Sequence, residues 1–105
     1  MVKVINSDEF NNVVLNSEEI VLVDFSADWC RYCKMLAPII EELSEEMAGK
    51  VKVFEIDADK SPDITIKYSV VSLPTVMIFK KGEVLDKIVG FNPKEIIKTK
   101  IEQYL

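Results

Sequence analysis

Ile20-Val21-Leu22-Val23-Asp24-Phe25-Ser26-Ala27-Asp28-Trp29-Cys30-Arg31-Tyr32-Cys33-Lys34 joins a strand to a helix, and both cysteines of the chain lie in the joint. Ile20 to Phe25 is β-branched or apolar on both faces except for one acid, the pattern of a central strand covered by helices on each side. From Cys33 to Met47, apolar residues at Leu36, Ile39, Ile40, Leu43 and Met47 follow the helical period, while Glu41, Glu42, Glu45 and Glu46 fill the opposite face. Pro38 interrupts this helix, because it removes a backbone donor and crowds the preceding turn, so a kink is expected there.

Working outward, Val2 to Ile5 reads as a short strand. Asn6 or Ser7 can cap a helix to about Asn16, with Phe10, Val13 and Val14 on its inner face. Val51 to Ile56 is another buried strand, Asp57 to Ser61 a loop, and Pro62 to Tyr68 a short helix with proline at its start. Thr75 to Phe79 and Glu83 to Val89 flank Lys80-Lys81-Gly82 as a β-hairpin. Asn92 is expected to cap a last helix, with Pro93 at its first position, Glu95 at its third, and Ile96, Ile97, Ile101 and Leu105 as its apolar stripe. The order is βαβαβαββα. Its first strand-helix-strand units demand parallel neighbours by right-handed crossovers, and the hairpin adds antiparallel strands. The class is therefore α/β, a mixed sheet between two helical layers. With 105 residues, 49% of them hydrophobic, and no internal repeat, residues 1–105 form a single domain.

Composition narrows the chemistry. There are 13 basic and 18 acidic side chains, a net charge of -5, which disfavours nucleic acid and anionic membrane surfaces as partners. The absence of histidine removes imidazole bases, Ser/His/Asp and Cys/His nucleophiles, and histidine-bound metals. No apolar run approaches the roughly 18 to 20 residues of a membrane span. Met1-Val2-Lys3-Val4 does not open a signal peptide, so a cytoplasmic location is expected, where cysteines are usually reduced.

Cys30 and Cys33 are three apart, a spacing that random placement of two cysteines gives in about 2% of cases. A helix start brings positions i and i+3 together, near enough for their sulfurs to bond. The unpaired N–H groups and positive dipole end of that helix favour a thiolate, most of all at the outer residue, Cys30. Cys30 would then attack a disulfide, and Cys33 would resolve the mixed disulfide from inside. The same spacing is half of a zinc site, but a structural zinc wants four ligands and would need a second chain or carboxylates here.

The run Val23 to Lys34 resembles the active-site segment of thioredoxins, and the likeness extends along essentially the whole chain. Pro38 is similar to the helix-kinking proline of that family, Ser72-Leu73-Pro74-Thr75 to its cis-proline loop, and Gly82 and Val89-Gly90 to its hairpin and substrate-groove glycines. The resemblance implies a thioredoxin fold, a five-stranded mixed sheet sandwiched by four helices. It also implies reduction of disulfides in client proteins, a thioredoxin reductase as electron donor, no bound cofactor or metal, and a monomer. Two departures stand out. Arg31-Tyr32 replaces the Gly-Pro common between the cysteines, and Val53 replaces a lysine often found beside the family's buried acid.

Asp24 is that acid. Continuation of its strand into Phe25 argues against an exposed end, and burial raises a carboxyl pKa, which suits it to take the proton of Cys33. Trp29 is either a core aromatic or a lid over the sulfurs. By resemblance, Leu73-Pro74 is cis and Leu73 offers its backbone to an extended substrate segment. Trp29, Arg31, Tyr32, Leu73, Pro74 and Gly90 would then border the substrate, with Val71 and Phe91 either its apolar rim or ordinary packing residues. Tyr32 also resembles the glutaredoxin pattern, so a glutaredoxin or oxidase-isomerase is the nearest rival. A non-catalytic binding module on the same fold is the rival of another class.

Overall fold

The computed structural model describes every residue from Met1 to Leu105. Strand β2 (Ile20–Ser26) has six buried residues in succession, so it can only sit inside the sheet. It pairs in parallel with β3 (Val51–Asp57) and antiparallel with β4 (Thr75–Lys80). The short β1 (Lys3–Val4) extends the sheet beyond β3, and β5 (Glu83–Val89) extends it beyond β4. The result is a five-stranded mixed sheet in the order β1-β3-β2-β4-β5.

Alternation along β2 divides the core in two. Ile20 and Leu22 face one way, toward Leu36, Ile40 and Leu43 of α2 (Arg31–Glu46) and Ile97 and Ile101 of α4 (Lys94–Glu102). Val21, Val23 and Phe25 face the other, toward Phe10 and Val14 of the first helical segment and Ile64 of α3 (Pro62–Lys67). Two helical layers therefore enclose the sheet, as the periodicity requires. On the α2 side, Lys94 bridges Glu42 and Glu46 at 3.1 and 2.6 Å and Lys98 reaches Glu46 at 3.0 Å, tying α4 to the acidic face of α2.

Several ends differ from the expected ones. The first helix begins as α1 (Ser7–Phe10) under a reciprocal cap, in which the Asn6 side chain accepts from the Glu9 N–H and Glu9 accepts from the Asn6 N–H. It then runs on as a π-helical turn, Asn11–Leu15. Helix α2 starts two residues earlier than the apolar period suggests, at Arg31, because Cys30 itself is the cap. Pro38 lies inside α2 and has no N–H to give to the carbonyl four residues before it.

At the last helix the expected cap is wrong. Pro93, with ψ 155°, is the cap residue, its carbonyl accepting from Ile96 and Ile97, and the helix begins at Lys94. Asn92 is not free to cap, since its amide donates to the Gly90 carbonyl at 3.3 Å. With the helix shifted by one residue, Glu95 is its second position. Ile97 and Ile101 are buried as expected, but Ile96 and Leu105 are exposed. Tyr104 packs there instead, and its hydroxyl donates to the Leu85 carbonyl at 3.0 Å.

Candidate redox site

The site lies where β2 ends and α2 begins. Cys30 caps α2 with extended backbone (φ -88°, ψ 112°), and its Sγ accepts from the Cys33 N–H at 3.2 Å. Cys33 occupies the first turn of the helix. The two Cα atoms are 5.2 Å apart and the sulfurs are joined as a disulfide, within the ordinary range for such a bond. Both cysteines are buried, with Ala27 and Leu73 packed against them. The helix thus aims a backbone donor at Cys30, and its positive end adds to the effect, so a thiolate formed on opening the pair is stabilised there.

Exposed side chains surround the buried pair. Trp29 is 70% exposed and so is not a core aromatic; its indole N–H donates to Asp59 Oδ2 at 2.8 Å. Arg31 and Tyr32 are exposed on the first turn of α2, and no acid pairs with Arg31.

The loop before β4 closes the other side. The Leu73–Pro74 bond is cis, and the Pro74 carbonyl accepts from the Gly90 N–H at 2.8 Å, so the loop and the end of β5 are held together. Thr75 Oγ1 donates to the Ser72 carbonyl at 2.6 Å. Gly90 has φ +84°, which disfavours any side chain, and open space where a Cβ would stand. Val71 is fully solvated and Phe91 partly so, which makes neither an ordinary core residue.

Asp24 lies one layer below. It is 1% exposed, its Oδ1 has no hydrogen-bond partner, and its pKa is raised to about 7, first by burial and then by the neighbouring Glu55. Val53 is packed with Leu22 and Leu36 and brings no charge to the acid. Glu55 was not among the residues expected here. Only the parallel register, which pairs Asp24 with Glu55, brings the two together. No group of three or more Asp, Glu or Cys is placed to hold a metal ion.

A cysteine pair closing a disulfide at the cap of the helix that follows the central strand of a mixed sheet defines a thiol–disulfide protein of thioredoxin fold. The thioredoxin family model matches residues 1–103. The chain is 45% identical over 104 residues to the chloroplastic M-type thioredoxin of Pisum sativum, covering 99% of this chain and 60% of the relative. It is 43% identical over 105 residues to the thioredoxin of Staphylococcus saprophyticus, covering 100% and 98%. With the thioredoxin of Bacillus subtilis it shares 46% over 89 residues, 85% of this chain and 86% of the relative. This chain therefore spans about 60% of the length of the plant relatives, and it belongs to the thioredoxin family.

Proposed function

We propose that the protein reduces disulfides in client proteins through Cys30 and Cys33. The observation that carries this is the backbone N–H of Cys33 directed at Cys30 Sγ from the first turn of α2, which favours negative charge on that sulfur. The Cys30 thiolate attacks one sulfur of the client disulfide. That bond breaks, and the departing client sulfur takes a proton from water. Cys33 then gives its proton to Asp24 and attacks Cys30 Sγ. The Cys30–Cys33 bond forms, the second client sulfur leaves and is protonated in turn, and two electrons have passed from the protein to its client.

Leu73, packed on the cysteine pair, offers an edge to an extended client segment, in the manner of an added strand. Trp29, Arg31, Tyr32, Pro74 and Gly90 border the same segment, Trp29 as a lid fixed by Asp59, and Val71 and Phe91 form its apolar rim. Family membership supports a thioredoxin reductase as the electron donor and action as a monomer. A reductase works where thiols are kept reduced, which favours the cytoplasm.

In the Cys33→Ser variant, attack survives and resolution fails, so clients accumulate as mixed disulfides on Cys30, visible by non-reducing gel and peptide mapping. Accumulation instead in Cys30→Ser, on Cys33, would reverse the two roles.

A further inference from the structure

No cation offsets Asp24. On the sheet face beneath α2, its neighbour on β3 is Glu55 and its neighbour on β4 is Val76. Leu36 of α2 packs over the same face with Leu22, Val53 and Val76. Paired strands lie about 4.8 Å apart, and side chains of register partners share a face, so the two carboxyl groups are neighbours. Asp24 is sealed from water, whereas Glu55 is half-buried.

The groups that bear on Glu55 are also acids: Asp57 further along β3, Glu41 on α2, and Asp28 in the turn after β2. Glu41 is itself engaged by the Val2 N–H at 3.0 Å, with the chain amino terminus 3.9 Å away. Asp24 and Glu55 are therefore two neighbouring carboxyl groups, one dry and one wet, with further acids around Glu55 and the amino terminus beside Glu41.

We propose that Glu55 is a positioning residue for the resolving step: as the partner acid in register with Asp24, it sets the pH at which Asp24 takes and releases the proton of Cys33. Like charges this close disfavour the doubly ionised state. Burial first and the charge on Glu55 second together raise the Asp24 pKa to about 7. Asp24 accepts from Cys33 only once its own proton has gone. This rests on the reading of Asp24 as proton acceptor.

The test has two readouts. Carbon NMR of carboxyl-labelled, oxidised protein follows the Asp24 titration directly. A mixed disulfide between Cys30 and thionitrobenzoate reports the resolving step by release of the coloured thiolate after rapid mixing. Removing one charge at about 6 Å, through an effective dielectric of about 40 to 80, lowers the Asp24 pKa by about half a unit to one unit.

Glu55→Gln is expected to give that shift and Glu55→Lys a larger one, and the midpoint of the release rate against pH should move down by the same amounts. An Asp24 titration unmoved in both variants overturns the proposal, as does a moved titration with an unmoved rate profile. If Asp24→Asn also leaves the parental profile unchanged, the proton-acceptor reading has failed, a separate result from failure of Glu55 alone.

Discussion

Asp24 ties the stability of the protein to pH. Its carboxyl ionises near 3.8 in an ordinary setting and at about 7 in the fold, with burial the larger cause and Glu55 the smaller. A folded pKa above the unfolded one means that the native state binds the proton more tightly. The stability that Asp24 contributes is therefore whole below about pH 4 and is lost as pH rises through about 7. A shift of about three units corresponds to about 4 kcal/mol. Asp24→Asn is expected to be more stable than the parent at pH 8, by up to that amount, and to lose the advantage by pH 4. Urea unfolding at the two pH values measures this, and equal stabilities at pH 8 would contradict it. The burial of Asp24 is legible in the sequence because the apolar run continues into Phe25. The influence of Glu55 is not, since it depends on how β2 and β3 register. The resemblance points to Val53 as the neighbour of the acid, but Val53 belongs to the apolar cluster instead.

Among the elements, the β4–β5 hairpin shows which local signals hold. Lys81 and Gly82 turn the chain with φ of 52° and 80°, the two positive values that a two-residue hairpin of this hand requires. Gly82 is confined by packing as well. A Cβ there would stand 3.1 Å from the Leu15 carbonyl oxygen, whereas at Gly49, with φ +87°, it would meet nothing. Gly49→Ala is expected to cost about 1–2 kcal/mol from backbone strain alone, and Gly82→Ala to cost more, as measured by urea unfolding. Equal losses would show that the Leu15 contact yields freely. Helix ends are harder to read than turns. Asn92-Pro93 carries every local mark of a cap, yet a hydrogen bond to Gly90 takes the asparagine away. Cys30, seldom thought of as a cap, fills that role on α2 because its sulfur meets the Cys33 N–H.

For the whole molecule, element types and their sequence follow from periodicity. The strand order β1-β3-β2-β4-β5 does not, because it depends on which edges meet. The site shows the same division. The cysteines, Asp24 and Trp29 lie within one short run, so spacing and context expose them, whereas Leu73 reaches the pair only through the tertiary fold, and the tie between Gly90 and Pro74 is a backbone contact across strands. These parts matter together, since the fold brings a helix cap, the cis-proline loop and a buried acid to one end of β2. The resulting claim is that the pair is an electron donor to clients. Equilibration of the purified protein against a glutathione or dithiothreitol redox series, with the fraction of closed Cys30–Cys33 followed by thiol alkylation, tests it most directly. The account predicts a midpoint in the reductase range, below about -230 mV, and a midpoint near about -120 mV, where a pair serves as an oxidant, would contradict it.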